Sequence, residues 1–262
     1  MQPEIEIGPL TLQTFGLCFA LGFIAAGLIL SRRFTELGKP PDWAYEMVFA
    51  ALIGGIVGAR LDFLIENWSE VSDDVLGNLF SGSGLVWFGG AVGGAVAVVA
   101  WAAWRGLRGW IIADIAAVPL ALGYAIGRIG CQLSGDGDYG QPWDGPWAMA
   151  YPEGTVATDV PVHPTPIYET LVMGLVAYSL WRLRDRVTTG MLFATYLVLA
   201  GLERFLIEFI RRNEDVALGL TQAQLISVAM VLAGGIWITV RASRGEYWRP
   251  GPERSAAARA SA

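Results

Sequence analysis

Seven apolar stretches dominate the chain. Each is about 16–24 residues long, near the length that an α-helix needs to cross a hydrocarbon core. They cover residues 10–30, 43–64, 84–104, 110–129, 166–183, 190–210 and 220–240. Charged residues make up only 16% of the chain, whereas soluble domains carry about 25%. The sequence therefore predicts an all-α, polytopic membrane protein with seven transmembrane helices.

The distribution of basic residues predicts the orientation. Thirteen of the 18 arginines and lysines fall in the first, third and fifth connections and in the tail, whereas the opposite side is acidic apart from Arg211 and Arg212. Because basic connections stay in the cytoplasm, the N-terminus lies outside and the C-terminus inside. We expect residues 1–240 to form the transmembrane domain, with an outward loop at 131–165, and residues 241–262 to form a disordered basic cytoplasmic tail.

Three arginines fall within or at the ends of the apolar stretches, toward their outer ends: Arg60, Arg128 and Arg204. Each is costly in lipid, so each either faces the protein interior or reaches the membrane surface along its own stem. Arg204 and Glu208 are four residues apart and can pair on one helix face. Several guanidinium groups around an outer cavity suit a phosphate, which arginine binds through two donors at once.

The longest polar interval begins within Gly127–Gly140, which reads GRIGCQLSGDGDYG. Five glycines in this stretch disfavour a continuous helix. The loop that follows exceeds about 12–15 residues, a length that is usually functional or disordered. Its aromatic residues favour packing on the headgroup layer. His163, the single histidine, closes the loop as either a turn residue or a base.

Composition excludes several classes of function. The chain has one lysine and no basic patch interleaved with aromatics outside the tail, so we expect no nucleic-acid partner. Cys18 lies inside an apolar stretch and Cys131 at the loop entrance, which fits neither a disulfide framework nor a zinc site. No metal or nucleotide motif is present, and we expect no cofactor.

Six motifs in order resemble the prolipoprotein diacylglyceryl transferase family. Gly127–Gly140 is similar to that family's GRxGNFxNxExxG, HPTPIYE to HPxQLYE, and LERFLIEFIRR to RFxxEFFR. The other three are Ile7–Phe23, Gly58–Asn67 and Trp87–Gly94. The resemblance implies a seven-helix enzyme of the bacterial inner membrane. It would move the diacylglyceryl group of phosphatidylglycerol to the lipobox cysteine of a prolipoprotein, forming a thioether and releasing glycerol phosphate.

The resemblance also implies a set of site residues and partners. Arg128 and Arg204 match the two arginines proposed to hold the phosphate, Glu208 matches the acid one turn later, and Asp136 stands near the signature glutamate. The expected catalytic residues are Arg128, Arg204, Glu208, Asp136 and His163. Residues expected to bind phosphatidylglycerol are Arg60, Arg128, Arg204, Gly89, Gly90, Gly140 and Tyr168. The expected partners are phosphatidylglycerol, the prolipoprotein signal peptide with its lipobox, and membrane lipids.

The chain departs from the family pattern at several positions. Phe88 replaces the histidine before the double glycine, and phenylalanine cannot accept a proton. Phe15 replaces a tyrosine, Cys131 an asparagine and Pro166 a glutamine. The group that deprotonates the acceptor thiol is therefore unassigned. The candidates are His163, Asp136, Asp138, Glu169 and Tyr168.

Two further functions remain compatible with the sequence. One is a related lipid transferase with another acceptor, or an inactive paralogue that binds phospholipid. The other is an anion transporter that uses the intramembrane arginines. The transporter predicts paired half-helices and symmetry between the two halves of the chain, and the sequence displays neither.

Overall fold

A computed structural model describes residues 2–8, 10–71 and 86–249. These residues are mostly helical, and the helices of 17 or more residues among them number seven. They are α1 (Thr14–Glu36), α2 (Trp43–Glu66), α3 (Trp87–Trp104), α4 (Ile111–Ser134), α5 (Thr165–Leu183), α6 (Met191–Ile207) and α7 (Gln222–Ser243). Within these ranges α1, α2, α4 and α7 are long and apolar enough to cross a membrane. The protein is thus a helical, multi-pass membrane protein.

Three antiparallel hairpins correct the expectation of a purely α-helical fold. The strands are β1 (Glu4–Ile7), β2 (Leu10–Gln13), β3 (Met149–Tyr151), β4 (Thr158–Val162), β5 (Asp215–Ala217) and β6 (Leu220–Thr221). The first hairpin takes the residues where the first helix was expected to begin. Its alternation of polar and apolar residues is typical of a strand rather than a helix. A short helical segment, Trp68–Val71, follows α2.

Helix α4 extends further than its glycines predicted. It continues through Gly127 and Gly130 and ends at Ser134, where Gly135 adopts a φ of +59°. A Cβ added to Gly130 would lie 2.9 Å from the Cβ of Cys18 on α1. The glycine therefore allows close packing of two membrane helices, and this contact offsets its low helix propensity.

The chain forms two compact units, one of residues 1–26 with 113–262 and the other of residues 27–112. In the second unit α2 and α3 pack through glycine on both sides. A Cβ on Gly58 or Gly93 would lie 2.8 Å from the Cα of the other, which no real Cβ tolerates. Gly89 and Gly90 belong to the same interface, since their added Cβ atoms would meet Asp62 and Ala59 of α2. The structure therefore gives Gly89 and Gly90 a packing role.

In the first unit, two side chains hold the start of α6 and the connection before it. Asp114 accepts hydrogen bonds from the backbone nitrogens of Gly190 at 2.6 Å and Phe193 at 2.9 Å, and so caps the start of the helix. The Arg249 side chain donates to the Val187 carbonyl at 2.8 Å. Residues 241–243 complete α7, and Arg249 contacts the connection before α6. The expected disorder of the tail stays a prediction. Residues 250–262 lie outside the described residues.

Candidate active site

A buried carboxylate on α5 gathers three arginines from different parts of the chain. The Glu169 side chain is fully buried. Its Oε2 lies 2.5 Å from Arg128 Nε, and its Oε1 lies 3.2 Å from Arg204 Nη1 and 3.5 Å from Arg211 Nη1. Arg128 comes from the last turns of α4, Arg204 from the last turn of α6, and Arg211 from the residue after a 3-10 segment, Glu208–Ile210. We call Arg128, Arg204 and Arg211 the arginine cluster.

A second carboxylate, Asp138, fixes the outward loop to this cluster. Its two oxygens pair with Arg128 and Arg211, and its backbone carbonyl accepts from Arg211 Nη1 at 3.2 Å and Thr165 Oγ1 at 2.6 Å. Burial by itself raises the pKa of Asp138, but the charges of Arg128 and Arg211 outweigh it and hold that pKa below its usual range. Asp138 is therefore a charged partner of the cluster at neutral pH.

Glu208 connects the cluster to the start of α7. Its Oε2 lies 2.8 Å from Arg204 Nη2, which is the pairing expected from their spacing. Its Oε1 accepts from Asn213 Nδ2 at 2.5 Å and from Thr221 Oγ1 at 2.9 Å. Thr221 also caps α7 in a reciprocal arrangement with Gln224. Glu208 therefore holds Arg204 close to the start of α7, and its expected catalytic role stays a prediction.

The arginine cluster pairs with an equal number of acids and is partly exposed at Arg204. Its three arginines are balanced by Asp138, Glu169 and Glu208. Arg204 is the most exposed of the three, with 22% of its side chain accessible against 14% for Arg128 and 8% for Arg211. A guanidinium carries five N–H donors, and among the described residues Arg204 directs only two nitrogens, Nη1 and Nη2, at acceptors. Arg204 therefore retains donors for a bound anion.

Gly140 joins the outward loop to the end of α6. Its backbone nitrogen donates to the His163 carbonyl at 2.8 Å, and the next residue, Gln141, donates to the Ile210 carbonyl at 2.7 Å. A Cβ at Gly140 would lie 2.5 Å from the Ile210 oxygen and 2.9 Å from Thr165 Cγ2. Only glycine allows this approach, so Gly140 shapes the site through its backbone.

His163 and Tyr168 lie together in an aromatic group. The imidazole stacks on the Trp143 ring with centroids 4.3 Å apart. Tyr168 Oη accepts from Trp147 Nε1 at 2.6 Å and lies 3.5 Å from His163 Nδ1. Trp143, Trp147 and His163 belong to the loop between α4 and α5, and Tyr168 lies at the start of α5. Packing of these aromatics on a headgroup layer stays a prediction.

Comparison with known proteins identifies the family. The chain matches the family model of prolipoprotein diacylglyceryl transferase over residues 3–240. The chain belongs to this family. A phosphatidylglycerol–prolipoprotein diacylglyceryl transferase of Methylococcus capsulatus is 32% identical over 92% of this chain and 95% of its own length. Proteins of the same name from Rhodospirillum centenum and Clostridium tetani are 34% and 30% identical, covering 94% and 89% of this chain and 93% and 95% of their own lengths.

The structure brings some of the residues expected from the family motifs together and separates others. Arg128 and Arg204 both pair with Glu169, and Glu208 pairs with Arg204. Asp136 forms no ion pair among the described residues, and its Oδ1 accepts from the Asp138 nitrogen at 3.2 Å. Arg60 belongs to the second unit, where its guanidinium lies 5.5 Å from the Phe63 ring centroid, so its grouping with the other two arginines stays a prediction.

The expected site residues do not include one member of the cluster, Arg211, although it is the last arginine of the motif that resembles RFxxEFFR. It lies three residues after Glu208 and seven after Arg204. Residues at this spacing share a helix face, and that signal was available. Asp138 and Glu169, both candidates for the proton acceptor, are ion-paired with the arginine cluster.

Cys131, Asp136 and Asp138 place one potential ligand atom each within 4.8 Å of one another. Arg128 Nη1 lies 3.8 Å from Cys131 Sγ and also pairs with Asp138. A fixed positive charge among the three ligands opposes a second cation, so the donor set does not fit a metal ion. Cys18 and Cys131 are both buried free thiols.

Proposed function

We propose that this protein transfers the diacylglyceryl group of phosphatidylglycerol to the lipobox cysteine thiol of a prolipoprotein and releases glycerol phosphate. Relatives covering nearly the whole chain carry names that state these two substrates. The observation that carries the site assignment is that Arg128 and Arg204 share Glu169 while Arg204 keeps unused donors. A phosphodiester is the ligand that such donors bind best.

The chemistry follows from the charges that develop in the transfer. The acceptor sulfur forms a C–S bond to the glycerol carbon, the C–O bond to phosphate breaks, and its electron pair goes to the phosphate oxygen. The leaving group thereby gains negative charge, which Arg128 and Arg204 stabilise. Asp138, Glu169 and Glu208 hold these guanidinium groups in place before substrate binds, so little reorganisation accompanies the reaction.

We also propose seven membrane spans in the bacterial inner membrane, with the N-terminus outside and the C-terminus inside. The first unit supports this orientation. The start of α6 adjoins the connection that contains Arg184 and Arg186, which follows Arg182 in the last turn of α5. The Arg249 side chain donates to the Val187 carbonyl in that connection. Arg204 lies near the other end of α6. Because basic connections stay in the cytoplasm, the arginine cluster faces the outer side, where a lipobox would meet it.

Product analysis with the purified protein tests this function. Full-length protein would be mixed with phosphatidylglycerol vesicles and a synthetic lipobox peptide, and the peptide analysed by mass spectrometry. We expect a peptide carrying one thioether-linked diacylglyceryl group, together with one released glycerol phosphate. A peptide with its cysteine replaced by alanine serves as the control. Binding of phosphatidylglycerol without product would instead favour an inactive paralogue.

A further inference from the structure

One buried acid has no role in the site described above. Glu203 lies on α6 next to Arg204, and only 8% of it is exposed. Its Oε1 has no hydrogen-bond partner within residues 2–8, 10–71 and 86–249, and none of these residues forms an ion pair with it. A buried carboxylate without a cation is costly, and an ionisable group at membrane depth is a candidate for function.

The other acids of the cluster differ from Glu203 in this respect. Asp138, Glu169 and Glu208 each have at least one guanidinium nitrogen within 4.0 Å. Two or more positive partners make a carboxylate a poor proton acceptor, because protonation would discard those ion pairs. Among the buried acids that the structure describes, Glu169, Glu203 and Glu208, Glu203 is the one whose protonation breaks no ion pair.

The Glu203 side chain points away from α7. It lies two residues from Gly201, whose added Cβ would meet Ser227 and Val231 of α7, and two helical residues turn the side chain to nearly the opposite face. Tyr196, seven residues earlier, shares its face. The titratable groups around Glu203 are Tyr124 and Arg128 of α4, Glu169 of α5, Tyr196 and Arg204 of α6, and Arg211. Residues 222–240 of α7 contain no titratable side chain.

Tyr124 lies near both Arg128 and Glu203. Its Oη accepts a hydrogen bond from Arg128 Nη2 at 3.0 Å, and Glu203 is one of the charged groups near its hydroxyl. Glu203 is thus beside the groups that we assign to the phosphate, yet bonded to none of them. The Glu203 oxygen that has no hydrogen-bond partner is suited to accept the proton that leaves the thiol of the acceptor peptide.

We propose that Glu203 is the proton acceptor for the thiol in the transfer reaction, an inference that rests on the proposed function. The S–H proton passes to a Glu203 oxygen while the sulfur attacks the glycerol carbon, and the C–O electron pair leaves with the phosphate. Phe88 occupies the position of the family motif's histidine and cannot accept this proton. Glu203 supplies a base from a different helix.

Two acceptor peptides separate a base from a structural residue. One carries the lipobox cysteine and the other selenocysteine, whose selenol is already ionised at neutral pH and needs no base. For Glu203→Gln we expect a loss of about 10²–10⁴-fold with the cysteine peptide and little change with the selenocysteine peptide. The residual rate with cysteine should rise toward about pH 8.5, where a free thiol ionises. Glu214→Gln, which alters an exposed acid, should match the wild type with both peptides.

The wild-type protein provides a second test that does not depend on how the variant folds. Its rate with the cysteine peptide should fall at acid pH as Glu203 becomes protonated, and its rate with selenocysteine should not follow that fall. Equal losses with both peptides, or full activity of Glu203→Gln with cysteine, would overturn the assignment. A wild-type protein that modifies neither peptide would instead refute the proposed function, and the role of Glu203 with it.

Discussion

Arg128 and Arg204 bind opposite oxygens of one carboxylate. That carboxylate is Glu169, which is fully buried between them. The two guanidinium groups belong to helices that are far apart in sequence, and the shared acid fixes their separation. Two cations at a set distance form a receptor for one phosphate, so Glu169 determines the geometry of the proposed site without contacting substrate.

Loss of the Glu169 charge should destabilise the protein. Glu169→Gln leaves the arginine cluster with one uncompensated positive charge in a buried setting, which costs about 3–5 kcal/mol. We expect a clear fall of the thermal unfolding midpoint in detergent. Glu153→Gln removes an exposed acid from the outward loop and should leave the midpoint unchanged. Equal midpoints for the two variants would show that Glu169 does not hold the cluster.

Thr221→Val should remove the cap at the start of α7 and the hydrogen bond that positions Glu208. The Thr221 hydroxyl donates to Glu208 at 2.9 Å and accepts from the Gln224 nitrogen at 3.2 Å. Removal of such a cap costs about 1 kcal/mol, and the freed Glu208 should lower the transfer rate through Arg204. Thr239→Val is the matched control on the same helix, since that hydroxyl bonds only within α7. Wild-type rates for Thr221→Val would contradict the coupling.

The sequence was sufficient to predict the helix positions and one ion pair, because both depend on local periodicity. Apolar length located the seven helices, and four-residue spacing predicted the pairing of Arg204 with Glu208. The role of Asp138 rather than Asp136 was not accessible in this way. Which carboxylate reaches the arginines depends on the positive φ angles of Gly135 and Gly137, and spacing within a glycine-rich loop does not encode that path.

The hairpins and the end of α4 depend on tertiary contacts. Gly130 remains helical because it packs on Cys18, and propensity alone pointed the other way. The contact of Arg211 with Glu169 also depends on the 3-10 segment before it, which helical spacing does not predict. Glu169 was visible as an acid in a motif, but its burial among three arginines requires the fold.

Asp138 should give stability a pH dependence on the acid side. Its pKa is lower in the folded protein than in the unfolded chain, so its contribution is complete above its unfolded pKa of about 4. The contribution is lost as the pH falls through the lower folded value. We expect Asp138→Asn to reduce the free energy of unfolding by about 1–3 kcal/mol at neutral pH. The difference between the unfolding midpoints of the variant and the wild type should narrow below about pH 4. A difference that does not change with pH would contradict the stabilising role of the ionised Asp138.

Gly140→Ala should disturb the loop where it meets α6. The added methyl group would collide with the Ile210 carbonyl at 2.5 Å, so the loop must shift and move Asp138 with it. We expect reduced transfer and a lower unfolding midpoint. Gly174→Ala is the control, since a Cβ at that helical position meets nothing within 4 Å. A fully active Gly140→Ala would show that this approach is not needed.

The transfer rate of Arg204→Lys tests the central claim most directly. Lysine keeps the positive charge but cannot contact Glu169, Glu208 and a phosphate with one planar group. We predict that thioether formation from phosphatidylglycerol and the lipobox peptide falls by about 10²–10³-fold. Arg212→Lys, at an exposed arginine over the Tyr139 ring, should retain the wild-type rate. An Arg204→Lys variant as fast as the wild type would contradict the assignment of Arg204 to the phosphate.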